Sequence, residues 1–244
     1  MEAKTEYQKI NTLFKRDSDN VIMPDAWADP MFEYLANTKW EATEKVDGTN
    51  IRIIITPPAT EGAPVGVEFR GRTDSAQIPG HLLERLEELF PVDKMTEQFN
   101  PAVRPIKDTI VLYGEGYGMK IQSGWRYTKG GADFILFDVR VGNWWLLRDK
   151  VEGVAAALEV KVVPLMGYMT IPEAIEYVRR GFTSQIAADP TFPAEGLVLK
   201  TPVGLLDRTG HRIVAKVKTV DFRKLEAKQA RMNKERKAQG GTES

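Results

Sequence analysis

Short runs of β-branched and aromatic residues, bounded by Gly, Pro or Asp, recur near residues 40–46, 50–56, 65–70, 109–115, 133–139, 143–147, 195–200 and 211–218. Each has the length and composition of a β-strand. Apolar positions three and four apart at 81–89, 149–159, 171–180 and 221–237 predict helices. The runs at 40–46 and 50–56 are separated only by Asp47, Gly48, Thr49 and their neighbours, which reads as a hairpin turn and not a helical crossover. Strands joined by turns predict an α+β domain of largely antiparallel sheets flanked by helices. That domain is expected over residues 1–238, with the polar stretch 239–244 as a disordered tail.

With 244 residues, 42% of them hydrophobic, the chain can bury a sizeable core. It contains no apolar run of about 18 residues, and its N-terminus lacks the apolar centre of a secretory signal, so a cytoplasmic protein without membrane contact is expected. The absence of cysteine excludes disulfides, thiolate catalysis and cysteine-bound zinc. Only His81 and His211 remain as imidazole ligands, and neither is assigned a role. A metal, if used, is expected to be a hard, oxygen-bound ion such as magnesium. The net charge is zero, but from Lys200 onward twelve cations face five anions, leaving +7 there and −7 elsewhere. A basic C-terminal third suits a polyanion bound on one face; on charge alone a solvated basic helix explains it equally well.

Neither G-x-x-x-x-G-K-[ST] nor G-x-G-x-x-G after a strand is present, so the chemistry must lie elsewhere. Lys45, Asp47, Arg72, Glu115, Asp138, Glu195, Lys216 and Lys218 each fall at the end of a strand-like run. Taken singly, such charges are mostly solvated. Asp138 and Glu195 stand out because each adjoins an apolar run, where a charge needs a partner or a metal. Lys45 opens Lys45-Val46-Asp47-Gly48, a K-x-D-G pattern that chance produces in a chain this long about one time in twenty. Trp125, Tyr127, Trp144 and Trp145 are candidates for stacking on RNA bases, although core packing is the stronger reading of the tryptophan pair. Lys120, in the flexible run 118–124, is a candidate for triphosphate or RNA contact.

From Lys45 onward six motifs follow in order. They are Lys45-Val46-Asp47-Gly48; Phe69-Arg70-Gly71-Arg72-Thr73; Tyr113-Gly114-Glu115-Gly116; Phe137-Asp138-Val139; Glu195-Gly196-Leu197-Val198-Leu199-Lys200; and Lys216-Val217-Lys218. Together they resemble the covalent nucleotidyltransferase superfamily of ATP-dependent DNA ligases, RNA ligases and mRNA capping enzymes. The resemblance implies the superfamily's ATP-grasp-like nucleotidyltransferase domain. Asn50, where DNA ligases and capping enzymes usually carry Arg, resembles the RNA ligase 2 type. Only 26 residues follow Lys218, too few for an oligonucleotide-binding barrel, which also points to an RNA ligase. That type's helical C-terminal domain is not matched either, so a separate end-recognition or repair protein is a candidate partner.

The resemblance implies three steps. Lys45 attacks the α-phosphorus of ATP to form lysyl-AMP, AMP passes to an RNA 5′-phosphate, and a 3′-hydroxyl displaces it. Attack by an amine requires its neutral form, which nearby cations favour. Lys216 and Lys218 are implied at the α-phosphate with Arg72, and Asn50 and Glu115 at the ribose or phosphates. Phe137 is implied as the base-stacking ring, with Glu44 and Gly48 also at the nucleotide. Asp47, Asp138 and Glu195 are implied at Mg2+ or Mn2+, largely through its waters. A monomer acting on RNA ends or nicked RNA duplex is expected. The alternatives are a DNA ligase or guanylyltransferase catalytic domain working with a separate barrel protein, and a catalytically silent RNA-binding module.

Overall fold

The computed structural model describes residues 5–99 and 107–240. It divides into two compact units made of interleaved segments. One takes Ile10–Lys45, Leu165–Ser184 and the chain from Pro193 onward; the other takes the residues through Lys9, Val46–Pro164 and Gln185–Phe192.

The first unit is built on a five-stranded sheet in the order Asn11–Thr12, Val214–Lys218, Gly196–Lys200, Trp40–Lys45 and Leu165–Met169. All neighbours are antiparallel except the short first strand, which runs parallel to Val214–Lys218. Period-two alternation sends Trp40, Ala42, Leu197, Leu199, Ala215 and Val217 to one face. There they pack with Ile171, Ala174 and Val178 of the helix Ile171–Arg180 and with Phe222 of the helix Thr219–Gly240. The first of these helices starts where expected because Thr170 and Glu173 cap it reciprocally. It stops at Gly181, whose φ of 79° suits glycine. Each fully buried Ile or Val of this face contributes ~1.5–3 kcal/mol.

The second unit is built on a six-stranded sheet in the order Lys161–Val162, Ala132–Val141, Ile110–Gly118, Thr49–Thr56 and Gly66–Gly71, with Trp144–Trp145 paired to Ala132–Val141. Ile51, Ile53, Ile55, Leu112, Phe134, Leu136 and Val139 fill one face. Leu82 and Leu86 of the helix Gly80–Leu89, Met95 of Val92–Gln98, and Val151 and Ala155 of Arg148–Ala157 cover them. The opposite face therefore carries the intervening side chains, among them Asn50, Arg52, Tyr113 and Glu115.

Two expectations change. Trp40–Lys45 and Thr49–Thr56 do not form a hairpin: Lys45 is opposite Gly196 in one sheet, and Thr49 is opposite Gly116 in the other. Both edges of Trp40–Lys45 are already hydrogen-bonded, to Gly196–Lys200 and Leu165–Met169, so no edge is left for its successor. The C-terminal helix begins at Thr219 and continues through Gly240, so the expected tail starts inside a helix, and 241–244 lie outside the described residues. Among the described residues no helix is long and apolar enough to cross a membrane.

Candidate functional site

In the first unit three of the singled-out side chains meet. Lys45 Nζ lies 2.6 Å from Glu195 Oε2, and Lys218 Nζ lies 2.7 Å from Oε1 of the same carboxylate. The three are 15–29% exposed, so two ammonium groups share one carboxylate in a partly dry corner. Register explains the convergence. Gly196 stands between Lys45 on one neighbouring strand and Lys218 on the other, and Glu195 is the residue just before it. Lys216 and Lys218 project from the face opposite Ala215 and Val217, which are in the core. Glu44 takes the other face of its strand, buried at 1% and accepting a hydrogen bond from Ser184 Oγ.

Glycine is required at two points of these motifs. A Cβ on Gly196 would stand 2.0 Å from the Val217 carbonyl oxygen, at a φ of 154°, so no other residue lets Glu195 come this close to the Lys218 strand. In the second unit a Cβ on Gly48 would lie 2.3 Å from the Gly116 carbonyl oxygen and 3.0 Å from Glu115 Cγ. The K-x-D-G turn is thus pressed directly onto the Gly114-Glu115-Gly116 motif. Tyr127 holds it from another side, its hydroxyl accepting from the Asp47 amide at 3.2 Å.

On the face of the six-stranded sheet opposite its core, Asn50 is directly opposite Glu115, and Arg52 opposite Tyr113, which is in turn opposite Asp138. Asn50 Oδ1 is buried with no hydrogen-bond partner among the described residues. A buried acceptor left unmatched costs ~1–3 kcal/mol, a debt that a ligand hydroxyl would cancel.

Phe137 and Asp138 are consecutive, yet both lie on this face. The pairing steps from Tyr113 opposite Asp138 to Gly114 opposite Leu136, so Phe137 is the extra residue of a β-bulge. Leu136 and Val139, on either side of the pair, both face the core. Asp138 is 2% exposed and accepts from Tyr7 Oη at 2.8 Å, and the Tyr7 ring is 5.1 Å from Phe137 and 5.0 Å from Tyr113.

Tyr7 and Arg52 are the two residues that motif reading overlooked. Arg52 is 0% exposed and donates to the Gly71 carbonyl at 2.7 Å, to Thr5 Oγ1 at 2.7 Å and to Asp74 Oδ1 at 2.8 Å. Its hydrogen bond and charge hold the Asp74 carboxyl below the usual carboxylate range. Exposed Arg72 sits between the two anchored positions, Gly71 and Asp74. A charge inside Ile51-Arg52-Ile53-Ile54-Ile55 was the available signal, by the same reasoning that singled out Asp138. Tyr7 had none, because its segment carries no strand or helix pattern.

Asp47 and Asp138 belong to one unit and Glu195 to the other; among the described residues no group of three or more His, Asp or Glu side chains is placed to hold an ion. A magnesium-like ion fits such a set only if water completes most of its shell. Taken separately, the first unit carries lysines of the kind that bind phosphates, and the second a buried unmatched amide oxygen and a ring on a bulge of the kind that bind a nucleoside.

Residues 38–218 match the family model described as RNA ligase. No curated protein sequence matches the chain. Among solved structures, the chain is similar to Naegleria gruberi RNA ligase. A variant in its apo form gives a TM-score of 0.56 at 17% identity, covering 93% of this chain and 61% of that one. A variant with ATP and Mn gives 0.56 at 16% identity over 88% and 62%. A variant with AMP and Mn gives 0.57 at 17% identity over 88% and 58%. The likeness establishes a shared fold, and the chain spans about three-fifths of the length of these structures. With three-quarters of its length inside the family match, the chain belongs to the RNA ligase family.

Proposed function

We propose that this protein is an ATP-dependent RNA ligase whose Lys45 carries AMP between ATP and an RNA 5′-phosphate. The observation that carries the reading is the meeting of the Lys45 and Lys218 amines on the single Glu195 carboxylate, at 2.6 and 2.7 Å. It supplies a nucleophile, an acceptor for its proton and a second cation for phosphate oxygens.

In the first step Lys45 Nζ gives a proton to Glu195 Oε2, its hydrogen-bond partner, and attacks the α-phosphorus; the P–N bond forms as the bond to pyrophosphate breaks. Lys218, Lys216 and Arg72 bind the phosphates and stabilise the charge that develops on them. Asn50 offers its unmatched Oδ1 to a ribose hydroxyl beside Glu115. Phe137 offers its ring to adenine, and the Glu44 backbone an edge contact to the base. In the second step the RNA 5′-phosphate oxygen displaces Lys45 from phosphorus, forming a phosphoanhydride to AMP. In the third, the RNA 3′-hydroxyl forms the phosphodiester and AMP leaves. A divalent ion held by Glu195 through water would neutralise phosphate charge. We leave Asp138 as the acceptor of the Tyr7 hydroxyl.

Protein incubated with magnesium and α-labelled ATP is expected to retain label in a denaturing gel, and Lys45→Ala to lose it. Sealing of 5′-phosphorylated nicked RNA, single-stranded RNA and nicked DNA then ranks the substrates, with RNA expected first. No label from ATP, or nicked DNA sealed faster than any RNA, would overturn the reading.

A further inference from the structure

The segment from Met119 to Gly131 contains three cations, Lys120, Arg126 and Lys129, and no acid. Its pattern of exposure is regular: Ile121, Gly124 and Tyr127 are buried anchors, while Lys120, Trp125, Arg126 and Lys129 are exposed. Trp125 is 54% exposed, so most of one ring face is open to solvent. Its side chain is nevertheless not loose. The Arg126 guanidinium lies 4.9 Å from the Trp125 ring centre and 5.1 Å from that of Phe192, and Phe192 packs edge-on against Tyr127 at 5.4 Å. Tyr127, Phe192, Arg126 and Trp125 thus form one stack that starts in the core and ends on a solvent-facing indole.

Two further features tie this stack to the chemistry. Tyr127, at its foot, is the residue whose hydroxyl accepts from the Asp47 amide, two positions after Lys45 in the chain. Gly124, next to Trp125, is packed so closely that a Cβ there would lie 3.2 Å from the Asp47 carbonyl oxygen and 2.8 Å from the Gly118 amide. The backbone between is strained to make the fit: Lys120 and Gln122, neither a glycine, have φ of 62° and 47°.

Resting on the RNA ligase reading, we infer that Trp125, with Arg126 against its ring and exposed Lys120 and Lys129 in the same segment, is a stacking platform for a base of the RNA strand being joined. An exposed, pre-oriented ring among cations is what single-stranded nucleic acid requires. The π-face takes any base without reading its sequence, and the cations take the adjoining phosphates. A protein partner would gain from the ring but less from the three cations that this segment carries without an acid of its own, so charge favours the polyanion.

The test is a titration of the protein without ATP by a short 5′-phosphorylated single-stranded RNA, read by tryptophan fluorescence. Wild type is expected to quench on binding, and Trp125→Phe to bind with near-normal affinity while losing most of the quench. Trp125→Ala is expected to bind roughly 5- to 100-fold more weakly, the effect of losing one stacked base. Lysyl-AMP formation, which needs no RNA, is expected to be unchanged in both. Trp125→Ala binding RNA within twofold of wild type, or Trp125→Phe quenching as wild type does, would overturn the platform. Absence of lysyl-AMP in wild type would instead overturn the ligase reading, which the RNA titration does not depend on.

Discussion

Lys45 and Asp138 are both charged residues carried on β-strands, yet the two units treat them in opposite ways. In the five-stranded unit, Lys45, Glu195 and Lys218 keep partial contact with solvent and are satisfied by one another, two cations on one carboxylate. In the six-stranded unit Asp138 is closed in at 2% exposure under the Tyr7 hydroxyl, in a cluster with Tyr113, Phe137 and Trp145. Charges that only trade partners can exchange one of them for a phosphate at modest cost. A carboxylate sealed under an aromatic layer cannot. The corner therefore remains open to an incoming anion, and the sealed face holds a fixed shape.

The comparison breaks most sharply at Glu195. Glu195→Gln keeps the volume but removes the charge that both lysines share, and lysyl-AMP formation is expected to fall by about 10²–10⁴-fold. A single-turnover labelling assay reads this, and a loss under tenfold would show that the corner does not work as a unit. Gly196→Ala is next. Its Cβ would stand 2.0 Å from the Val217 carbonyl at a φ of 154°, and a loss of about 3 kcal/mol or more in folding stability is expected, visible in denaturant melts and in soluble yield.

Tyr7→Phe tests the sealed face. It removes one hydrogen bond from a buried carboxylate and is expected to cost ~1–3 kcal/mol, a fall of roughly 2–4 °C in Tm for each kcal/mol in a chain of this size. The rate of lysyl-AMP formation should change far less than in Glu195→Gln. If the rate falls and the Tm does not, Tyr7 belongs with the chemistry and not with the architecture.

The smallest effect concerns a charge remote from both regions. The hydrogen bond from Lys39, then the Thr170 amide, hold the Glu173 carboxyl down at about 2 against an ordinary value of 4.5. Because the folded state favours the ionised form, its contribution is present above pH 4.5 and lost as pH falls from there towards 2. Glu173→Gln retains the capping geometry, so its slightly lower Tm at pH 7 is expected to converge on wild type by pH 2, as followed by thermal melts.

How much of this was legible in the sequence depended on the regularity of the ladders. The eight strands with clear composition are all present, within one to three residues at most ends. Of the strands that escaped, Asn11–Thr12, Phe14–Arg16 and Lys161–Val162 are only two or three residues long and too short to show alternation, while Ile22–Trp27 is interrupted by Pro24 and Asp25 and Leu165–Met169 by Gly167, residues that read as loop. The Lys45 corner was legible because plain alternation places Lys216 and Lys218 together, and Glu195 carries an obligatory glycine beside it. The joint facing of Phe137 and Asp138 was not. A bulge is a property of two strands, and the step from Tyr113 to Gly114 that creates it leaves no trace in Phe134-Ile135-Leu136-Phe137-Asp138. The hairpin reading of Asp47 and Gly48 failed for a related reason, since pairing is decided by which edges remain open and not by the turn alone.

The central claim is that Lys45 is the residue that carries AMP. Its most direct measurement is the intact mass of the protein after incubation with ATP and magnesium, followed by peptide mapping and then addition of pyrophosphate. The account expects a mass increase of one AMP, located on Lys45, absent in Lys45→Ala and reversed by pyrophosphate. An adduct on another residue, or an unchanged mass under conditions in which the protein seals RNA, would contradict it.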